Sequence, residues 1–482
     1  MRGSDFVSNG NTLLGIDGLP FASTQKISND AWKQNNIGYL GRASYNFDNT
    51  YYLTASYRRD GASVFGTNSK WGNFGAAGVA WRISNEEFMK KLTWVDDLKL
   101  KASWGRNGNQ GIGAYSTLSR VSAGSSGGIK VTFGNSGKVS YGINQGSIGN
   151  ADLGWETTEA WNFGFESALL GNRLFVDLDL YFSKTYDQLF RRTIPVMTGF
   201  SSIYASMGEV QNRGVELTVR TVNIQTDRFK WSSGLTFWLN RDKLTKLYGE
   251  DLDGDGKEDD DIGNQLFIGE SIHSIYGYKQ DGIVQESDVE YMEKNGVAAG
   301  TPKYVDINGD GVITTDDRHI IGNYNPNFKL NLSNTVSYKD FELYAMITGT
   351  FGGNGYYQQS NKAAYVIGGG GDFFGVNSLY VPYWTPENPS NKYPAATYTG
   401  DSFFMGLQSR AFVRLQDISL SYSFRQPWVK KAGISTLKLF VTGKNLLTFS
   451  GWDGGDPEIG NSIVNGTYPV MKSLSVGATI SF

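Results

Sequence analysis

The last ten residues of the chain alternate strictly between apolar and polar side chains. The apolar positions are Leu474, Val476, Ala478, Ile480 and Phe482, and serine, glycine or threonine fills the others. Because successive side chains of a β-strand point to opposite faces, this alternation predicts a strand with one apolar face. The segment also has about the length of a tilted transmembrane strand. It belongs either to a soluble sandwich, with the apolar face inward, or to a membrane barrel, with that face toward lipid.

Similar patterns recur along the chain and predict about thirteen strands. The predicted strands are 37–47, 51–60, 72–83, 97–106, 157–168, 174–188, 212–222, 229–242, 328–338, 341–352, 412–424, 436–449 and 473–482. The connections alternate in length: those after residues 47, 168, 222 and 338 are short, those after 83 and 424 are moderate, and those between them are longer. Outer-membrane barrels have short periplasmic turns and long extracellular loops, whereas a Greek-key sandwich has no reason to sort its loops. The pattern therefore favours an all-β, antiparallel up-and-down transmembrane β-barrel.

Three local patterns refine this prediction. Residues 1–35 are polar and rich in glycine, asparagine and serine, which predicts a loop before a barrel region at 36–482. Residues 84–92 have the pattern of a short capped helix. In strand 412–424 the apolar positions change parity near Gln416, which predicts a β-bulge.

The composition excludes several classes of protein. No run of apolar residues approaches the roughly 18 that a transmembrane helix needs, which excludes a helical membrane span. A transmembrane β-barrel is not excluded, because half of its strand residues are polar. Glycine is frequent, with 61 residues, and aromatic residues make up 14%, which suits β-structure with aromatic belts. The net charge of −3 and the lack of a basic tract argue against nucleic acid as a partner.

Catalysis has little support in the sequence. The chain has no cysteine, and its two histidines, His273 and His319, belong to no HExxH pattern. A P-loop pattern is also absent. Carboxylates are plentiful, but none stand out as the acid pair of a glycosidase. We therefore expect that the protein is not an enzyme.

One acidic stretch has the spacing of a calcium-binding loop. The expected oxygen ligands, with Val312 contributing its carbonyl, are Asp306, Asn308, Asp310, Val312, Thr314 and Asp317. The twelfth position is an aspartate instead of the usual glutamate, and its shorter side chain would weaken a structural Ca²⁺ site. The alternative is a solvated turn. A second stretch, 251–256, lacks the closing ligand and is better explained as a solvated loop.

Aromatic residues are concentrated in the predicted loop 353–410. Their faces would stack on sugar rings or bind a partner, and the candidate ligand-binding residues are Tyr356, Tyr357, Phe373, Phe374, Tyr383 and Trp384. The alternative for each of them is packing within the loop itself.

Several motifs together resemble a known family. They are Tyr57–Ser63 with Val79–Ile83, Leu153–Thr158 with Asn162–Gly164, Asn212–Glu216, Asp306–Asn323, Trp384–Pro389 and Gly443–Leu447. In combination these segments are similar to the SusC/RagA-type TonB-dependent transporters of the Gram-negative outer membrane, and the resemblance extends from about residue 36 to the C-terminus.

The resemblance implies a barrel of about 22 strands, an N-terminal plug with a TonB-interacting box, and a SusD-like surface lipoprotein as a lid. It implies import of oligosaccharides or peptides, with TonB, outer-membrane lipid and the lipoprotein as partners. The chain shows no plug, TonB box or apolar signal-peptide region. We therefore interpret it as the C-terminal barrel portion, about thirteen strands, of such a transporter.

Two alternatives stay open at this stage. Within the membrane class, the chain would be part of a siderophore receptor or a passive porin. In a different class, it would be a secreted β-rich glycan-binding or adhesion protein.

Overall fold

The computed structural model describes residues 2–8, 25–30, 32–123, 130–132, 139–251, 254–356, 382–398, 407–453, 456–459 and 470–482. Within these ranges, thirteen strands form one sheet in which each strand pairs antiparallel with its neighbours in sequence. The strands are β1 (Asn36–Phe47), β2 (Tyr51–Ala62), β3 (Trp71–Arg82), β4 (Val95–Asn109), β5 (Glu156–Leu169), β6 (Leu174–Tyr186), β7 (Glu209–Gln225), β8 (Phe229–Lys246), β9 (Pro326–Tyr338), β10 (Phe341–Gly352), β11 (Phe412–Phe424), β12 (Thr436–Ser450) and β13 (Ser473–Ser481). The predicted up-and-down order is confirmed.

Local turn chemistry fixes the short connections at one end of the sheet. Between β1 and β2, Asp48 and Asn49 both have a φ of 51°, and the Thr50 amide donates to the Phe47 carbonyl at 3.0 Å. Two consecutive residues with positive φ define the hairpin turn that matches strand twist, and Asp and Asn tolerate this conformation better than most other non-glycine residues. Because every strand reverses direction, the long connections all lie at the opposite end, which we call the loop end.

The outward face of the sheet is apolar and exposed. On the final strand, Leu474 and Val476 are 71% and 78% exposed. Such a continuous apolar surface fits a lipid-facing wall and not the inner face of a sandwich. Aromatic rings lie along the turn end, where Phe341 and Tyr422 approach to 4.7 Å between centroids and Tyr51 stacks on Trp81.

A second aromatic row lies toward the loop end of the same face. Trp104 lies opposite Trp161, which in turn lies opposite Phe182. Aliphatic residues such as Leu178 occupy the rows between the two belts. Two aromatic girdles around an apolar band are the pattern of a transmembrane barrel.

The bulge predicted near Gln416 is confirmed. The pairing of β11 with β10 and with β12 shifts register between Leu415 and Asp417. On β12 the shift coincides with Asn445, which has a φ of 53°. The bulge restores the outward direction of the apolar side chains on both sides of it.

Two local predictions were wrong. Residues 1–35, predicted as a loop, contain the antiparallel strands Arg2–Ser8 and Gln25–Asp30. The helix predicted at 84–92 is instead two 3₁₀ turns, Ile83–Asn85 and Met89–Lys91, neither with a side-chain cap. Glu86, between the two turns, has an extended backbone with a ψ of 145°, which interrupts the helical conformation.

Smaller elements occupy the connections. The described helices are α1 (Val289–Asn295), α2 (Pro427–Lys431) and the 3₁₀ turns Val196–Thr198, Ile262–Asn264 and Thr315–Asp317. The short strand pairs are Arg120–Ala123 with Ile143–Ser147, Lys130–Thr132 with Val139–Tyr141, Leu189–Thr193 with Ser202–Ser206, Ser274–Gly277 with His319–Asn323, Gln280–Ile283 with Pro302–Tyr304, and Asn354–Gly355 with Gln408–Ser409. Among the described residues, no helix combines the length and the apolar character needed to span a bilayer.

Buried apolar clusters lie at the loop end and not in the middle of the sheet. One consists of Ala62, Val64 and Phe65, against which Trp155 packs with its ring centroid 4.8 Å from that of Phe65. We call the thirteen-stranded sheet the wall. Because the wall has solvent or lipid on both faces, it is stabilised by the backbone hydrogen bonds between its strands, whereas the loops need apolar cores of their own.

Candidate functional site

A row of charged side chains, which we call the lane, crosses the inner face of the sheet from β4 to β7. Lys101 donates to the Asp179 carboxylate at 2.9 Å and to the Glu166 carboxylate at 3.2 Å. Gly164 lies between them in the ladder, and a Cβ there would lie 2.6 Å from Asp179 Oδ1 and 2.8 Å from Lys101 Cε. Glu216 follows opposite Asp179 on the next strand. A glycine at this position thus lets charges on alternate strands meet along the inner wall.

Other charged side chains also point to the inner face of the sheet. Arg220 lies 3.6 Å from Asp177, and Lys438 donates to Glu342 at 3.0 Å. Lys444 has the same parity as Lys438 on β12 and is exposed. Together with the lane, these residues make the inner face polar while the outer face is apolar.

The Asn212–Glu216 motif builds part of the same face. The Tyr181 hydroxyl donates to Asn240 Oδ1 at 2.9 Å, and the Asn240 amide donates to Asn212 Oδ1 at 3.2 Å. Gly214 lies under the Tyr181 ring, where a Cβ would lie 2.2 Å from the ring carbon that carries the hydroxyl. Only glycine fits this close approach.

Two long connections pack on each other beyond the loop end, and we call residues 271–324 and 382–398 the loop layer. The Trp384 indole nitrogen donates to Gln285 Oε1 at 2.9 Å, and the Ile283 amide donates to Asn391 Oδ1 at 2.9 Å. Gly300 presses against the Trp384 ring with a φ of +86°. The described parts of the predicted acidic and aromatic loops therefore pack together as one folded unit.

The aromatic residues proposed as ligand contacts fall into three groups. Trp384 is only 8% exposed, so it packs within the loops, as the alternative interpretation proposed, and its ring has no face free for a ligand. Tyr383 is 40% exposed, and Tyr356 is partly buried at the end of β10. Tyr357, Phe373 and Phe374 lie outside the described residues.

The predicted calcium loop closes on its own backbone. Asp306 accepts from the Gly309 and Gly311 amides at 2.6 and 2.7 Å, and Gly311 takes the sharp turn with a φ of +85°. Asp310 Oδ1 accepts from the Val312 amide at 2.8 Å. Asn308 Oδ1 in turn accepts from the Asp310 amide at 3.0 Å.

Asp317 closes this loop as a buried carboxylate. It is 0% exposed and accepts from the Ile307 and Thr314 amides at 2.8 Å each. These amides, that of Thr314 first, lower the pKa of Asp317 because they stabilise its charged form. Among the described residues, no group of three or more His, Cys, Asp or Glu side chains is arranged to hold a metal ion.

The second acidic stretch has the same turn chemistry. Asp251 accepts from the Gly254 and Gly256 amides at 2.7 and 3.0 Å. Beside it, the Tyr248 hydroxyl donates to Asp261 at 2.9 Å, and burial together with this carboxylate raises the pKa of Tyr248 to about 12. The expected solvated loop is thus anchored on one side by a protonated tyrosine.

Sequence reasoning missed a buried arginine on β11. Arg414 on β11 is 1% exposed and donates to both Asp456 oxygens at 2.9 and 3.0 Å. It also donates to Glu458 at 2.7 Å and to Thr448 at 3.0 Å. These bonds tie the β12–β13 connection to the inner wall. An arginine in an alternating strand gives no sequence signal for such a partner, because the acids lie about forty residues away on a loop.

Comparison with known proteins extends along the whole chain. The family model "TonB dependent receptor-like, beta-barrel" matches residues 2–446. TonB-dependent receptor P3 of Formosa agariphila is 30% identical over 99% of this chain and 48% of its own length. TonB-dependent receptor SusC of Bacteroides thetaiotaomicron is 28% identical over 92% of this chain and 44% of its own length.

A solved structure supports the same relationship. The RagAB peptide transporter structure superposes with a TM-score of 0.73 at 25% identity, covering 95% of this chain and 48% of the matched chain. The chain spans about half the length of the curated relatives it matches. The matched proteins are receptors and transporters, and their family lies in the Gram-negative outer membrane. The ion-paired inner face, the apolar outer face and these matches together show that the chain belongs to the TonB-dependent receptor family, in its β-barrel region.

Proposed function

We propose that the chain is the C-terminal barrel portion of a transporter that imports nutrient oligomers, either oligosaccharides or peptides, across the outer membrane. The observation that carries the proposal is the contrast between the two faces of the sheet. The inner face holds ion-paired Lys101, Asp179 and Glu166, and the outer face is apolar with two aromatic girdles. A polar inner wall hydrates a passage for polar solutes, while the apolar face contacts lipid.

The proposed passage requires more strands than the thirteen described. The sheet has two edges, β1 and β13, and lipid cannot satisfy their backbone hydrogen bonds. A barrel of about 22 strands is wide enough to need a plug, and a plugged lumen needs an energy source to open it. We therefore propose that the complete protein carries further strands and a plug, and that TonB supplies the energy.

Uptake assays in paired strains test this proposal. Labelled oligosaccharide and peptide pools are offered to cells that express the complete protein, with and without TonB. Uptake that disappears without TonB supports the proposal, and the pool that enters identifies the substrate class. Undiminished uptake without TonB would identify a passive porin, and uptake of iron chelates alone would identify a siderophore receptor. Recovery of the complete protein as a soluble secreted product would favour the adhesion alternative.

A SusD-like surface lipoprotein is the proposed lid. The support is the loop layer, which is a folded unit at the loop end, and the relatives SusC and RagA. The contact would involve loops 246–327 and 353–410. Affinity purification of the complete transporter should recover the lipoprotein, and deletion of 353–410 should abolish recovery while the strands still assemble. Recovery that survives the deletion would exclude this loop from the interface.

Exposed aromatic residues of the loop end are the proposed ligand contacts. Tyr383 keeps 40% of its surface exposed, whereas Trp384 is buried. Tyr383→Ala should weaken ligand capture without changing assembly, whereas Trp384→Ala should disturb the loop layer itself. Equal capture by wild type and Tyr383→Ala would exclude this residue.

We also propose a structural Ca²⁺ at the loop Asp306–Asp317. The residues that would hold it are Asp306, Asn308, Asp310, Val312 through its carbonyl, Thr314 and Asp317. Its support is the twelve-residue spacing and the turn at Gly311. Calorimetry with Ca²⁺ on wild type and Asp310→Ala tests it, with Asp255→Ala in the second acidic stretch as the matched control. Loss of binding only in Asp310→Ala supports the site, and equal binding by all three contradicts it.

A further inference from the structure

One outward-facing row changes from aromatic to cationic as it crosses the sheet. From β4 to β8 the cross-strand neighbours are Trp104, Trp161, Phe182, Arg213 and Arg241. The first three form the loop-end aromatic girdle. The last two are arginines directly opposite each other, an arrangement in which like charges repel.

The next row toward the loop end adds further charges. Its cross-strand neighbours are Arg106, Glu159, Lys184, Gln211 and Lys243. Arginine and lysine thus lie on four of the five strands, immediately beyond the apolar band. This depth is the level at which lipid head groups meet a membrane protein.

Among the described residues of these two rows, Lys184 is the only cation with an acidic partner. Glu209 binds Lys184 at 2.7 Å, and Glu159 accepts from the Trp104 indole at 2.9 Å. On β7 and β8, by contrast, the described part of the chain gives Arg213 and Lys243 neither a hydrogen-bond nor an ion-pair partner for their side chains.

The remaining arginine on β8 also has no carboxylate partner among the described residues. Arg241 donates to two backbone carbonyls, those of Asn240 at 2.7 Å and Asn327 at 2.6 Å. Both arginines and Lys243 are exposed. Three cations therefore lie together on β7 and β8, beside an apolar surface, with no acidic partner in the part of the chain that the structure describes.

We propose that Arg213, Arg241 and Lys243 bind the phosphate groups of a phosphorylated glycolipid in the outer leaflet. Guanidinium groups bind phosphate through paired hydrogen bonds, and a phosphate between the two arginines would remove their repulsion. The neighbouring Phe182 and Trp161 would contact the acyl chains. The proposal rests on the outer-membrane placement proposed above, and it adds a lipid site on the outer wall that is separate from the transport path.

Native mass spectrometry on the complete transporter, purified in mild detergent, tests the site. The probes are diphosphorylated lipid A and the same lipid after removal of its phosphates. The test variant is Arg213→Gln/Arg241→Gln. The matched control is Arg220→Gln/Lys329→Gln, which removes two cations from β7 and β9 on the inner face.

Wild type and the inner-face control should bind the phosphorylated lipid, and the test variant should bind it roughly 30-fold more weakly. The dephosphorylated lipid should bind all three proteins as weakly as the phosphorylated lipid binds the test variant. In detergent without lipid, the test variant should be at least as stable as wild type because the arginine repulsion is gone. A heat-modifiable band on gels verifies that each variant is folded.

Several results would overturn the proposal. They are equal lipid affinity for wild type and the test variant, equal affinity for the two lipids, and complete displacement of the lipid by millimolar inorganic phosphate. A test variant that loses the surface lipoprotein while it keeps the lipid would assign the cations to protein docking instead. Lipid binding that follows the prediction in a protein without uptake would contradict the proposed transport function and leave this inference standing.

Discussion

The wall and the loop layer of this protein are stabilised in opposite ways. In the wall, the backbone ladder satisfies the polar groups, and the side chains alternate between a charged inner face and an apolar outer face. In the loop layer, side chains bond to backbone groups of distant segments, as Asn391 does to the Ile283 amide across 108 residues. The wall therefore tolerates substitutions that keep the alternation of polar and apolar side chains. The loop layer instead depends on particular pairs of residues.

The largest effect should come from Arg414, which joins the wall to the β12–β13 connection. Arg414→Met removes the partner of the Asp456 carboxylate, whose side chain is 6% exposed. Leaving a buried charge unpaired costs about 3–5 kcal/mol. We expect a matching loss in the free energy of unfolding, measured by urea titration of the barrel in detergent. The exposed pair Arg220–Asp177 is the control, since Arg220→Gln should cost less than about 1 kcal/mol. Equal losses would show that burial does not distinguish the two arginines.

The wall itself should respond to which face is changed. Leu178 lies outward between Phe165 and Leu217, and Leu178→Lys places a charge in the lipid band. The expected cost is about 2–4 kcal/mol. Thr218→Lys, on the adjacent strand but opposite Asp177 on the inner face, should be tolerated. The folded fraction on semi-native gels of outer membranes measures both, and similar assembly of the two variants would contradict the assignment of faces.

A smaller effect should appear in the loop layer without reaching the wall. Gly300→Ala would place a Cβ 2.6 Å from Trp384 Cε3 and 2.8 Å from Ala395 Cβ. Overpacking of this kind costs about 1–3 kcal/mol. We expect faster protease cleavage within the loop layer and unchanged barrel assembly.

Gly296→Ala separates this clash from backbone strain alone. Gly296 has a φ of +63° with nothing within 4 Å of its Cβ position, so the substitution should cost only the backbone strain of a left-handed residue, roughly 1–2 kcal/mol, without the clash. Cleavage rates that are equal for the Gly300 and Gly296 variants would mean that the contact with Trp384 has no effect.

The smallest effect should be a dependence of the loop layer on pH. The folded state lowers the pKa of Asp317, so its stabilising contribution is complete above the ordinary aspartate pKa of about 4 and is lost as pH falls through the lowered folded value. Protease susceptibility near residues 306–317 should therefore rise on acidification, while the ladder stays intact. In Asp317→Asn the loop should be susceptible already at neutral pH. A wild-type loop that stays protected throughout the acid range would contradict this role.

The motif residues that resemble the family prove to be structural in this chain. Trp155 packs on Phe65 at the loop end, and Gly214 lies under the Tyr181 ring. Trp384 of the Trp384–Pro389 motif fills the loop layer. These positions report the fold reliably, because a close approach or a buried indole restricts the residue type. They give no substrate, because the contacts described for them are with the protein's own residues.

The sequence by itself determined the strands, their order, the faces of the wall and the bulge at Gln416. Each depends on neighbouring residues, because side-chain direction alternates along the strand and short turns leave one pairing available. Only the tertiary structure decided that Arg414 meets Asp456, that Trp384 is buried against Gly300, and that Arg213 lies opposite Arg241. These contacts join residues that are distant in sequence, and a strand's own pattern carries no information about its partner across a long loop.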